Sequence, residues 1–165
     1  MKTVCMTFWV LVITLVVSSI SAAGEIKGTI GVVLKSGDIK YGAKVDVYLT
    51  TKEILFQSVA NESSYNDKFE YRIALINSYG AACEKIQSAM NEPDYIKQQT
   101  RTNLSGKFSF TDVKPGKYFL VVTFPTRIVM HMVLWQLPVI MKTKDIEVEL
   151  SNDNMALPPL DEREK

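Results

Sequence analysis

The sequence predicts a mainly β domain carrying a helical insertion between its second and third strands. Three observations predict it. Lys44–Leu49 and Asp145–Leu150 alternate between apolar and polar side chains, the mark of strands with one buried face. Thr100 to Phe124, TRTNLSGKFSFTDVKPGKYFLVVTF, places two strand-like runs on either side of a Pro-Gly turn. Between Leu49 and Thr100 the apolar period changes from two to that of a helix.

The N-terminus is set aside before the fold is read. Met1-Lys2 is a short basic start, Val4 to Val17 is apolar, and Ser18 to Ala23 is small and weakly polar. This is the three-part order of a cleavable signal peptide over residues 1–23, with the cut expected after Ala23. An uncleaved anchor is the rival reading, but the apolar run is short of the ~20 residues a span needs. The expected location is therefore secreted or periplasmic. Of the two cysteines, Cys5 leaves with the signal and Cys83 remains, read as a small apolar side chain. A single cysteine forms no internal disulfide. The whole chain has 19 basic and 18 acidic residues, and removing Lys2 leaves the remainder formally neutral. No basic patch stands out, which argues against nucleic acid.

In chain order, Ile26 to Leu34 reads as the first strand, Ser36-Gly37-Asp38 as a turn, and Lys44 to Leu49 as the second strand. The insert follows, at about 52–92. Phe69, Ile73, Ile76, Tyr79 (or Gly80), Cys83, Ile86 and Met90 form one stripe at spacings of three and four. Asn91-Glu92-Pro93 ends it, because the residue before proline is pushed out of the α region. Lys52 to Ala60 is either a shorter helix, with Asn61 to Ser64 as a hinge, or the start of one continuous bent helix. Asn103 to Gly106 is a turn, and Phe108 and Phe110 mark the next strand. Lys114-Pro115-Gly116-Lys117 suits a type II turn, which needs positive φ at the glycine. Tyr118 to Phe124 and Arg127 to Trp135 follow as strands, the latter apolar on both faces. Leu137 to Met141 bends or runs at an edge around Pro138. After the strand ending at Leu150, residues 152–165 read as a loose tail.

A sheet with one wet face has polar residues there. Apolar residues on both faces of the strands at 118–124 and 127–135 call for a cover, and the helical stripe needs a surface. The insert is therefore expected to lie across the outer face of that sheet, burying Phe69, Ile73, Ile76 and Ile86.

The order Gly28-Thr29-Ile30-Gly31-Val32-Val33, Gly42-Ala43-Lys44-Val45, Thr100-Arg101-Thr102-Asn103, Gly106-Lys107-Phe108-Ser109-Phe110 and Val113-Lys114-Pro115-Gly116-Lys117-Tyr118 resembles the carboxypeptidase regulatory-like domain. The resemblance covers residues 26–150 and implies a seven-stranded transthyretin/Ig-like β-sandwich, here over 24–151 with the insert inside it. The chain departs from that pattern in the insert and at Asn103, where aspartate is common. Such domains are accessory modules without peptidase chemistry, often exported, in a fold group also described as carbohydrate-binding-like. The resemblance implies a non-enzymatic module for protein binding or a structural role. Binding of carbohydrate or another envelope polymer is the alternative, and a hydrolase a distant one.

Few residues suggest chemistry. Trp135, Tyr118 and Phe119 are the candidate ligand or partner surface, a stacking platform if exposed and core if not. His131 is the only histidine and sits in an apolar strand with no Gly-x-Ser-x-Gly elbow nearby, so it reads as a packed residue rather than a catalytic base. Met130-His131-Met132 has copper-type donors, but alternation turns the histidine away from the methionines. Asp145, Glu147 and Glu149 form a solvated acidic face, and Ser151 to Asn154 a terminal turn without a calcium-loop signature. Asn61-Glu62-Ser63 and Asn103-Leu104-Ser105 match the glycosylation pattern. No metal or cofactor is implied.

Overall fold

The structure, a computed structural model, describes residues 23–161, with only the backbone considered at 123–125. Residues 1–22 of the expected signal and 162–165 of the expected tail lie outside the described residues. The described residues form nine strands in two sheets and one long helix.

The first sheet is built on β1 (Gly24–Val33). It pairs antiparallel with β5 (Lys107–Val113) and parallel with β8 (Ile146–Leu150) over the same stretch, so these two flank its opposite edges. The short β2 (Ile39–Tyr41) pairs with its last three residues. The second sheet runs in the order β4 (Ile96–Arg101), β3 (Asp46–Thr50), β6 (Gly116–Ile128), β7 (His131–Met141), β9 (Leu160–Asp161). Ile26, Ile30, Phe108, Phe110 and Leu150 from the first sheet meet Val47, Leu49, Leu120, Val122 and Trp135 from the second in one buried core. That core makes the fold a β-sandwich. The short β2 and β9, and β4, are additional to the strands expected from sequence.

Beyond Met132 the second edge of β7 has no strand partner among the described residues, and this accommodates Pro138. On the edge pair β3–β4, Arg101 donates two hydrogen bonds of 2.7 Å to the Asp46 carboxylate and holds it below the usual carboxylate range.

Helix α1 (Lys68–Met90) lies between β3 and β4. Asp67 caps it by accepting from the Glu70 N–H at 2.8 Å, and Glu70 accepts in turn from the Asn66 N–H at 3.0 Å. Leu75, Tyr79, Ala82 and Ile86 pack on Phe119, Val121 and Leu134 from the outer face of the second sheet. The helix therefore covers the sheet that needed covering.

The buried stripe is not the expected one. Phe69, Ile73 and Ile76 are exposed, and Cys83 is half-buried. Ala82 takes a place in the contact face, since a small side chain lets the helix approach the sheet, and large residues alone do not reveal such a face. Residues 52–60 form no helix. Ile54, Phe56 and Val59 pack from an extended segment, where the Ile54 N–H and C=O are both bonded by the Gln136 side-chain amide at 2.9 Å. A single 3-10 turn at Glu62–Ser64 precedes the helix.

Three further expectations change. The Pro-Gly stretch does not close a hairpin: β5 pairs in the first sheet and β6 in the second, so the chain crosses between sheets there. Gly116 is not left-handed; Asp112, φ 55°, is. The run from Arg127 to Trp135 is broken by a two-residue turn at Val129-Met130, where Val129 takes φ 60° without being glycine. The tail expected to be loose is packed up to Asp161, with Leu157 and Leu160 buried against α1 and the sheet.

The Asn103–Gly106 turn is formed as expected. Asn103 Oδ1 accepts from the Ser105 and Lys107 N–H groups, and Gly106 has φ 71°. A Cβ there would lie 2.6 Å from the Ile30 carbonyl oxygen. Gly106→Ala is expected to cost about 1–3 kcal/mol, read as a lowered urea midpoint at unchanged slope. An unaltered midpoint would show that the turn relaxes without cost.

Candidate functional site

The candidate aromatic platform is not formed. Trp135 is 0% exposed in the sandwich core, with its indole N–H donating to the Ser151 carbonyl at 2.8 Å. Phe119 is buried on the opposite face of the same sheet, under α1. Tyr118, half-buried, packs against the sandwich core and donates its hydroxyl to the Lys114 carbonyl at 3.0 Å. Period-two alternation separates Tyr118 from Phe119, and the sandwich interior takes Trp135. A sugar-stacking surface built on these three residues is therefore overturned.

A different place has the shape of a site. Where the first turns of α1 approach the end of β1, the start of β7 and the C-terminal segment, a cleft of about 740 Å³ opens, within the ~300–1,000 Å³ common for ligand sites. Val32, Phe69, Leu75 and Leu160 supply apolar wall, and Lys68, Arg72 and His131 supply basic groups. Glu62 and Asp161 supply the carboxylates.

Each polar side chain is held by its element. Lys68 and Arg72 are four apart on α1 and so lie on one helix face. Arg72 donates from Nη1 to the Asp161 carbonyl at 2.8 Å, tying α1 to β9. His131 and Asp161 are opposite each other in the β7–β9 ladder, with Nε2 3.7 Å from Oδ2. His131 is 8% exposed, and its Nδ1 has no hydrogen-bond partner among the described residues. Tyr79, deeper beneath the cleft floor, places its hydroxyl 3.0 Å from the Met132 carbonyl and 2.9 Å from that of Pro158. Burial pushes this phenol's pKa well up.

His131 thus has a carboxylate and a cleft beside it, yet no serine, threonine or cysteine lines that cleft among the described residues. A triad has no nucleophile there. No group of three or more His, Cys, Asp or Glu side chains among the described residues is arranged to hold a metal ion. No helix among them is long and apolar enough to cross a membrane.

Running away from the cleft along α1 is the stripe that the sheet does not cover. Phe69 is 70% exposed, Ile73 43% and Ile76 41%. Gly80 continues it with open space around its α-carbon. The spacings of four, three and four are those of a seam that packs against another apolar element. The stripe was visible in the sequence; the cleft was not, because its walls come from four distant segments. Its only local signal is Lys68 and Arg72 bracketing Phe69.

No protein-family model matches the chain, and no curated protein sequence matches it. Among solved structures it is similar to a Pseudomonas aeruginosa protein described as a candidate carbohydrate-binding protein. The TM-score is 0.45 at 15% identity, covering 79% of this chain and 89% of that one. It is also similar to the minor pilin of Streptococcus agalactiae, with TM-score 0.43 and 14% identity over 79% of this chain and 44% of that one. For the major pilin subunit of Bacillus cereus the values are 0.41 and 10%, over 81% and 30%. The sandwich is defined by the strand pairing and core described above, independently of these likenesses.

Proposed function

We propose that the protein is an exported, non-enzymatic β-sandwich module that binds a protein partner through the outer flank of α1. In this reading residues 1–23 are a signal peptide cut after Ala23. The module is of the carboxypeptidase regulatory-like kind, with its own insert as the recognition surface. Secretion or a periplasmic location follows from the signal.

One observation carries the reading. The insert helix already buries one apolar face on the sheet, and Phe69, Ile73 and Ile76 form a second apolar line facing solvent. Large apolar side chains lined up in water are a mark of protein contact surfaces.

A photo-crosslinking side chain placed at Ile73, and as a control at the exposed Thr111 of β5, tests it in the producing cell. The expected result is one discrete adduct at Ile73, lost when Phe69 is also changed to serine, and none at Thr111. Equal labelling at both positions, or none at Ile73, would sink the proposal.

A further inference from the structure

The exposed stripe on α1 is symmetric about its own middle. Phe69, Ile73, Ile76 and Gly80 follow at spacings of four, three and four, so the gaps read the same from either end. A second copy of the helix, laid antiparallel about a two-fold axis between Ala74 and Leu75, brings each member of the stripe opposite another member. Phe69 falls opposite Gly80 of the partner subunit, and Ile73 opposite Ile76 of the partner subunit. A two-fold contact uses one patch twice and requires that the patch match itself. The same count places Lys68 opposite Ala81 of the partner subunit and Arg72 opposite Asn77 of the partner subunit. It sets no charged residue of α1 opposite another.

Gly80 gives the match its shape. It lies in the helix interior on the exposed side, and a Cβ added there would meet nothing within 4 Å. No contact inside the chain therefore requires a glycine, although glycine is disfavoured against alanine in such a position. The bare backbone is a depression at one end of the stripe, and Phe69, 70% exposed, is the projection at the other. Antiparallel pairing seats each phenylalanine on the other copy's glycine, and side chains of this size at the contact set how closely two helices approach.

We propose that the outer flank of α1 is a homodimer interface, with two copies paired antiparallel along Phe69, Ile73, Ile76 and Gly80. This rests on the protein-binding reading above and names the partner as a second copy of the chain. From Phe69 to Gly80 the seam runs about 16 Å at 1.5 Å per residue. Three large side chains from each copy bury less than the ~1,200 Å² at which standard interfaces begin, so the dimer dissociates readily, at about 10–100 μM.

Sedimentation equilibrium of the purified protein from about 5 to 500 μM, either side of that value, reads the association directly. The parent is expected to pass from monomer to dimer, and Phe69→Ser to remain a monomer throughout. Gly80→Ala separates the interface from the fold. It should raise the urea midpoint of the monomer through helix propensity, yet weaken association about tenfold because the methyl group fills the seat of Phe69. A photo-crosslinking phenylalanine analogue at position 69 reads the direction of pairing. Its adduct should lie on residues 73–85 of the other copy, the tryptic peptide that contains Gly80, and not on residues 69–72. A monomer at every concentration, or a dimer indifferent to Phe69→Ser and Gly80→Ala, overturns the proposal. An adduct on residues 69–72, the mark of parallel pairing, overturns it as well. If the crosslink at Ile73 in the producing cell joins a different protein instead of a second copy, the protein-binding reading stands and the dimer falls; no adduct there removes the reading itself.

Discussion

Leu75→Asp is expected to unfold the domain, while the same change one residue on, at Ile76, leaves it folded. Leu75 is 2% exposed between α1 and the outer face of the second sheet. Truncating such a residue costs about 2–5 kcal/mol, and an unpaired carboxylate in that layer adds several more. Together they approach the ~5–15 kcal/mol that holds a typical domain. Ile76 faces water, where a substitution shifts stability by roughly 0.5 kcal/mol. Thermal melts followed by circular dichroism decide the matter. Equal losses for the two variants would mean that the helix is rotated from the orientation described. A melt of Leu75→Asp close to that of the parent would mean that the helix does not pack on the sheet at all.

Trp135→Ala carries the second large effect. The indole fills the centre of the sandwich and fastens the chain after β8 through its bond to the Ser151 carbonyl. Its removal is expected to cost about 3–5 kcal/mol. Trp135→Phe keeps most of the apolar contact and leaves the Ser151 carbonyl with only the longer bond it accepts from the Asn154 N–H, at 3.4 Å, so a smaller loss of about 1–2 kcal/mol is expected. Urea midpoints measure both. In the parent, Trp135 emission should be blue-shifted and resistant to quenchers. Red-shifted emission from Trp135, or a loss under 1 kcal/mol (~) for the alanine variant, would contradict its burial.

What could be read from the sequence was local. Alternation at Val45, Val47 and Leu49, and at Phe108 and Phe110, is written into consecutive residues. The helix stop before Pro93 and the Asn103–Gly106 turn are equally local. Pairing partners are not. Lys114 to Lys117 has the composition of a hairpin turn, yet the same residues carry the chain from one sheet to the other, with β5 paired to β1 and β6 paired to β3 and β7. Val129-Met130 gave no turn signal, since neither residue favours positive φ; the tight return is imposed by the β6–β7 ladder on both sides. Ile54 and Phe56 pack inward with Leu55 exposed between them, but Ile54-Leu55-Phe56 is apolar throughout, so this period of two is not written in the residue types. The cleft was beyond sequence reading altogether. Glu62, Arg72, His131 and Asp161 become neighbours only when α1 lies on the sheet and β9 closes beside β7.

The placement of β1 has a consequence for the order of events during synthesis. Ile26 pairs directly with Ile146, and Glu25 donates its N–H to Asp145, 120 positions away. Among the described strands β1 comes first in the chain, yet one of its edges stays open until β8 has been made, so a chain released from its N-terminus carries no partial sandwich with β1 completed. Loop closure over that span costs little more than over a shorter one, but it is slow to search. The first sheet is thus completed only once residues 146–150 are available, whichever of the other strands have paired before.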